Sequence, residues 1–412
     1  MRSPSSCSAW ATSPSTRRSR RAPRSRSSPS ASSSAAPWGR RSSGRSSITA
    51  GTGSSWPSAG PAWSPSAPSS CRCSAGRRGR DGRPGRPWPF KDYSRPLTMR
   101  FMLFSIITNA TWAAVRQLWE HVDRTGWDGA CLSDHFMPNT PDRAGETLEC
   151  WTTLASLATV VPRMRIGTLV AGNTYRHPAV LAKMAANVDV VTGGRLICGI
   201  GAGWQENEHV AYGLPFYTVG ERLARLDEAC EVLKLLWTRE RASFAGRYYQ
   251  LSDAPLAPKP VQRPHPELMI GGGGEKVTLR IAAQHADHWN VWGGPETLAR
   301  KIRILDEHCA RIGRAPRAIV RSANLVLRIT DDRAEADRLV RQVMERFGRT
   351  EAEARDWTLV GSVAEIQDKL ARLREVGVDV VFVPSILLPE DPRPLLDRFI
   401  AEVTPALRGA RA

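Results

Sequence analysis

The chain has no run of about eighteen apolar residues, so no segment reads as a membrane-spanning helix. It has no HExxH, no paired Cys/His constellation and no GxSxG elbow, which leaves no expected metal site and no serine-hydrolase nucleophile. No Gly-Lys-Ser/Thr closes any glycine-rich stretch, so a Walker loop is excluded. Of the eight cysteines, Cys131, Cys150, Cys198, Cys230 and Cys309 form no CxxC pair and fall inside apolar or helical stretches. They read as reduced core thiols of a cytoplasmic protein.

Acidic residues are nearly missing from the first 98 positions. That stretch carries 17 arginines and Lys91 against Asp81 and Asp92, whereas the remaining residues are within two charges of balance. The formal charge of +18 is therefore a property of the leader and implies no specific nucleic-acid partner for the rest. Residues 1–98 are rich in Ser, Arg, Pro, Ala and Gly and show neither helical nor strand periodicity, so disorder is expected. Three readings stand: a solvated tail with weak affinity for polyanions, a targeting leader, and an extension preceding a true start at Met99. The abrupt change at Met99, followed at once by apolar Phe101-Met102-Leu103-Phe104, favours the last.

From Met99 onward, short apolar runs alternate with helix-patterned segments, the signature of parallel βα units. The pattern predicts strands at Phe101–Ile107, Gly129–Ser133, Arg165–Ala171, Arg195–Gly201, Glu267–Gly271, His288–Trp292, Ala318–Ile329 and Val378–Pro384. Between them it predicts helices, among them Trp112–Arg124, His177–Val191, Gly220–Thr238, Glu275–Gln284, Thr297–Ile312, Arg333–Phe347 and Val363–Val376. Eight such units over residues 99–412 make a (β/α)8 TIM barrel. The proline-rich stretch 243–266 cannot be a helix interior and is expected to be an insertion crossing the barrel mouth.

Barrel chemistry sits where strands end. The second strand ends Ser133-Asp134-His135, a carboxylate and an imidazole suited to proton transfer, or equally a turn cap and a surface histidine. The third runs through Leu169-Val170 to Asn173 and Thr174, whose side chains can bond the edge of a flat heterocycle, or simply form a turn. The fourth ends Gly201-Ala202-Gly203-Trp204. Gly201 would let backbone approach a flat ring, and Trp204 reads as pocket wall or core. This is no Rossmann fingerprint, since no GxGxxG opens a helix there. The fifth strand leads into Gly271-Gly272-Gly273-Gly274-Glu275, four glycines before a helix N-terminus. That reads as a cradle for the phosphate of a cofactor. Trp289 and Asn290 on the sixth strand line the mouth or pack.

In order and spacing, these segments resemble the bacterial-luciferase-like flavin and deazaflavin oxidoreductases. The resemblance is carried by Gly126-Trp127-Asp128-Gly129-Ala130, Ser133-Asp134-His135-Phe136, Glu149-Cys150-Trp151, Arg165-Ile166-Gly167-Thr168 and Tyr175-Arg176-His177-Pro178. It continues through Gly193-Gly194-Arg195-Leu196, Gly201-Ala202-Gly203-Trp204, the glycine loop and Asp287-His288-Trp289-Asn290. The nearest branch uses coenzyme F420. The resemblance implies a cofactor across the strand ends, its phosphate at Gly272, Gly273 and Gly274, and Asp134 and His135 near its ring. It implies a proton-accepting role for His135 and a non-proline cis peptide at Leu169–Val170. It also implies a homo-oligomer. One position departs: sugar-phosphate dehydrogenases of this superfamily carry Glu where this chain has Ala202, which argues against glucose-6-phosphate chemistry. Glu206 and Glu208 lie nearby with no assigned role.

The function expected is hydride transfer between F420 and a small organic substrate, with catalytic His135 and Asp134 and cofactor contacts from Leu169, Val170, Asn173, Gly201, Trp204 and the glycine loop. The alternatives are an FMN-dependent monooxygenase and, in another class, a non-catalytic flavin-binding protein.

Overall fold

The computed structural model describes residues 98–408 apart from 141 and 142, so the reading of the leader lies outside the described residues. Strand β1 (Arg100–Ser105) leads to helix α1 (Trp112–Arg124), and β2 (Gly129–Leu132) to α2 (Cys150–Leu157). β3 (Arg165–Thr168) and its two-residue continuation β4 (Ala171–Gly172) precede α3 (Pro178–Thr192). β5 (Leu196–Gly201) is followed by short α4 (Glu206–Ala211) and long α5 (Val219–Thr238). A hairpin, β6 (Arg241–Ala245) and β7 (Gln250–Pro255), comes next, then β8 (Glu267–Gly271), α6 (Thr278–His285), β9 (His288–Trp292) and α7 (Pro295–Arg311). The last third holds β10 (Val320–Asn324), β11 (Val326–Ile329), α8 (Arg333–Phe347), α9 (Glu351–Asp356), β12 (Thr358–Gly361), α10 (Val363–Glu375), β13 (Val380–Pro384) and α11 (Arg393–Arg398).

Eight parallel strands, β1, β2, β3, β5, β8, β9, β10 and β13, close on themselves. β1 pairs with both β2 and β13, and the β3–β5 pairing completes the ring. This is the (β/α)8 barrel expected from the alternation. The helices form where the sequence supplies caps and an inward stripe. In α1 the Thr111 hydroxyl accepts from Ala114 N, and Val115, Trp119 and Val122 are buried on one face. α3 starts on Pro178 and stops at left-handed Gly193. α10 opens with a capping box between Ser362 and Glu365. No helix of the described residues is long and apolar enough to cross a membrane. The five described cysteines are buried and unpaired, as expected of core thiols.

Three expectations change. The predicted strand Ala318–Ile329 is two strands. β10 stays in the barrel between β9 and β13, while β11 leaves it after Leu325 to pair with β12. Periodicity cannot show this, because both halves are largely buried and run on without a turn signal between them. The helices α4 and α9, six residues each, were not anticipated; they are too short to show a helical period. The segment 243–266 reaches the mouth through Tyr249, whose hydroxyl accepts from Asn173 Nδ2, but it does not cross the mouth as an irregular strap. Its first part belongs to the antiparallel hairpin, whose turn is held by Glu228 of α5 accepting from Arg247 N, Tyr248 N and Tyr249 N. Its proline-rich remainder runs to the opposite end of the barrel. There Asp189, near the end of α3, accepts from Val261 N and Gln262 N, and Gln262 reaches Leu196 O at the start of β5.

The barrel interior carries a polar ladder that no local pattern reveals. At the N-terminal end of the strands Arg165 donates to Glu267, and the other Glu267 oxygen lies 2.6 Å from His288 Nδ1. His288 Nε2 is 2.7 Å from Ser322 Oγ, and Asn290 joins Ser322 to Asn324. Burial opposes ionisation of Glu267, but Arg165 and the His288 hydrogen bond outweigh it and hold the carboxyl at about 2, against an ordinary 4.5. A depressed carboxylate contributes stability above its unfolded value that is lost as pH falls through the folded one. Urea midpoints should therefore drop between pH 4.5 and about 2, and Glu267→Gln should flatten that slope. Equal slopes in both proteins would contradict this account of the ladder.

Candidate functional site

The C-terminal end of β2 presents two neighbouring side chains that the structure sends to different partners. Asp134 is 2% exposed. Its oxygens accept from Arg176 Nη1 at 2.6 Å, Arg176 Nη2 at 3.0 Å and Gly172 N at 3.1 Å. Burial pushes the Asp134 carboxyl up, against the opposing pull of Arg176. The guanidinium continues to Glu149 at 2.6 Å. Asp134 thus ties the end of β2 to the loop that enters α3.

His135 remains at the mouth with its side chain 20% exposed. Its Nδ1 lies 2.9 Å from Glu208 Oε1, and its ring meets the Trp204 indole edge-on at 5.4 Å. Trp204 is 61% exposed, so it is a wall beside His135 and no part of the core. Glu208 is fully buried and also accepts from Phe136 N at 2.7 Å and from the Tyr175 hydroxyl. Burial disfavours its charge, yet the bonds from His135, Tyr175 and Phe136 hold its carboxyl below the ordinary range. Glu206, by contrast, points to solvent.

The next part of the mouth is a floor. The Leu169–Val170 peptide is cis, as the resemblance implied. Val170 lies over two glycines: a Cβ on Gly201 would meet Val170 Cγ2 at 2.7 Å, and one on Gly271 would come within 2.9 Å of both Val170 methyls. Any larger residue at either place would displace Val170. Beside this floor Asn173 N donates to Gly201 O at 2.9 Å, and Asn173 Nδ2 donates to Tyr249 OH at 3.2 Å. Asn173 Oδ1 is buried without a partner. A buried amide oxygen without a donor is costly, and its presence marks a place built to receive one.

The glycine loop completes the rim. Gly272 adopts φ +134°, a conformation that a side chain would strain. Its N–H donates to Asn290 O, and its carbonyl accepts from Trp289 Nε1 at 2.8 Å. Lys301 donates to Gly273 O at 2.6 Å from beneath, and burial pushes its ammonium below the ordinary lysine range. Among the described residues neither Gly273 N nor Gly274 N finds an acceptor. Both precede α6, whose N-terminus has no side-chain cap. Free amides at an uncapped helix start suit an anion. These features fit a flat, phosphate-bearing cofactor: a smooth floor, an orphaned acceptor at its edge and free donors at the rim. Trp289 and Asn290 belong to the packing; Trp289 is fully buried and Asn290 lies inside the polar ladder.

Sequence reasoning missed Glu208 as the partner of His135, Arg176 as the partner of Asp134, and the supporting Tyr175, Tyr249 and Lys301. Tyr175-Arg176, directly before the Pro178 helix start, carried a usable signal: a cation in a loop at the mouth calls for a carboxylate. Glu208 carried none, being 73 residues from His135.

Known proteins resemble this chain over the barrel. The description "Luciferase-like monooxygenase" fits residues 99–380. An F420-dependent glucose-6-phosphate dehydrogenase of Intrasporangium calvum is 30% identical over 326 residues, 71% of this chain and 95% of that protein. An FMNH(2)-dependent dimethylsulfone monooxygenase of Pseudomonas putida is 26% identical over 71% of this chain and 87% of its own. An uncharacterized Mycobacterium tuberculosis protein is 32% identical over 173 residues, only 42% of this chain and 60% of its own length. Among solved structures, an F420-dependent secondary alcohol dehydrogenase in complex with an F420-acetone adduct superposes with a TM-score of 0.67 at 20% identity, covering 76% of this chain and all of that one. At that identity the likeness shows the fold. With a barrel closed as described and a family match over most of the folded chain, this protein belongs to the luciferase-like monooxygenase family and is an oxidoreductase.

Proposed function

We propose that this oxidoreductase transfers a hydride between coenzyme F420 and a small organic substrate. The observation that carries the reading is Asn173 Oδ1, a buried acceptor without a donor beside the Val170 floor. A deazaflavin, when bound, supplies the two-electron chemistry. The chain's own residues do the rest. Leu169, Val170 and Gly201 form the surface for the ring, and Asn173 accepts a hydrogen bond from the ring's edge. Gly273 and Gly274 hold the phosphate through their free backbone N–H groups and the start of α6, while Gly272, whose N–H is taken by Asn290 O, shapes the loop. His135 takes or gives the proton that accompanies the hydride, and Trp204 walls that side. Asp134 enters through Arg176 and Gly172, anchoring the loop that carries Asn173. The F420-dependent relative aligned over nearly its full length supports the choice of cofactor.

The glycine loop gives a direct test. A Cβ at Gly273 would meet Val291 Cγ2 at 2.8 Å, so Gly273→Val must shift the loop. Losing a hydrogen bond to a charged group costs about 1.5–3 kcal/mol. F420 titrated into this variant, followed by its fluorescence, should therefore bind at least about tenfold more weakly than to wild type. Unchanged affinity would remove the loop from the site. The second reading, an FMN-dependent monooxygenase, rests on the alignment with the Pseudomonas putida enzyme. It requires oxygen uptake with reduced FMN, which the deazaflavin reading does not.

A further inference from the structure

We infer that Glu208 is a positioning residue: it keeps the His135 proton on Nδ1 and leaves Nε2 as the nitrogen that exchanges a proton at the mouth. This rests on the role given to His135 above. The inference follows from counting donors. Glu208 Oε2 accepts from Phe136 N, a group that can only donate. Glu208 Oε1 faces His135 Nδ1 at 2.9 Å and the Tyr175 hydroxyl. Burial and the adjacent carboxylate keep Tyr175 a neutral O–H donor. An ionised carboxylate has no proton to give, so Nδ1 must carry its own. A neutral imidazole has one N–H, and Nε2 is left with its lone pair. Among the described residues Nε2 has no partner, and the His135 ring is fixed on another side by Trp204.

The clamp is a built one. α4 is tied to both neighbouring loops. Gln205 Nε2 donates to Met137 O at 3.0 Å, Asn207 Nδ2 to Pro138 O at 3.3 Å, and His209 Nε2 lies 2.7 Å from Thr174 Oγ1. These contacts fix the backbone that carries Glu208, and its carboxylate could swing toward the mouth only by giving up its own bonds with Phe136 N, His135 Nδ1 and the Tyr175 hydroxyl. This also answers the substitution at Ala202. The acid that the resemblance implies at that position is absent, and the carboxylate present near His135 bonds the back of the imidazole. Proton exchange at the mouth then falls to His135 Nε2.

Glu208→Gln gives a sharp test, because the amide has only one orientation that satisfies its surroundings. Phe136 N–H requires the amide oxygen, so the amide NH2 must face His135 Nδ1. Nδ1 would then accept, and the imidazole proton would move to Nε2. The readout is the nitrogen-15 spectrum of the histidine rings in the full-length protein without cofactor, recorded in alkaline buffer. Wild type is expected to show Nδ1 protonated and Nε2 bare, and Glu208→Gln the reverse. Tyr175→Phe should keep the wild-type pattern, since both Glu208 oxygens remain. A wild-type proton on Nε2, or the same pattern in wild type and Glu208→Gln, would overturn the assignment. The wild-type spectrum decides even if the variant fails to fold. A wild type that shows the Nδ1 proton but does not bind F420 supports the role of Glu208 and overturns the cofactor reading instead.

Discussion

Arg176→Ala is expected to destabilise the fold by about 3–5 kcal/mol, the usual cost of stripping one partner from a buried ion pair. Asp134 is almost wholly inaccessible, and both of its oxygens bond the Arg176 guanidinium. Without it, the carboxylate keeps only the Gly172 N–H. It can escape by taking up a proton, so the deficit should be larger at pH 8 than at pH 5. Arg176→Lys should recover only part of the loss, because an ammonium cannot make the bidentate contact. Urea denaturation of the three proteins at both pH values is the measurement. A loss below about 1 kcal/mol, the range of an exposed pair, would mean that Asp134 is not held as described. Function should fall with stability here, since the same contact anchors the loop that carries Asn173.

The second large effect is on rate. His135→Ala should lower turnover by about 100- to 10,000-fold, the span typical of a lost general acid or base. F420 affinity should change little, because the floor, Asn173 and the glycine loop are untouched. Folding should also survive, since the side chain is 20% exposed and Glu208 keeps two of its three donors. Parallel loss of binding and turnover would assign His135 to cofactor binding. Full turnover would remove it from the chemistry.

The barrel was legible because most of its parallel strands, buried on both faces, are short and largely apolar, and its helices keep stripes such as Val115, Trp119 and Val122. The glycine loop and the Asp134-His135 pair could be picked out as candidates because each is contiguous in sequence, whereas the cis Leu169–Val170 link was implied only by the resemblance. What stayed hidden is what depends on distant residues meeting. The β10–β11 break at Leu325 shows only once Phe382 accepts from its N–H, and the pairing of Asp134 with Arg176 spans 42 residues. The interior ladder from Arg165 to Asn324 is likewise invisible, because its six members are spread one or two at a time over four different strands. Ala202 could be read as a missing acid, but only the fold shows a carboxylate behind the imidazole.

The central claim is that the Val170 floor, Asn173 and the glycine loop hold a deazaflavin. Equilibrium binding of F420 and of FMN to the full-length protein, followed by the fluorescence of each cofactor, tests it most directly. Tight binding of F420 with at least tenfold weaker binding of FMN (a gap of about 1.4 kcal/mol) is the predicted result. Preference for FMN, with oxygen uptake once it is reduced, would contradict the claim and move the enzyme to the flavin monooxygenases.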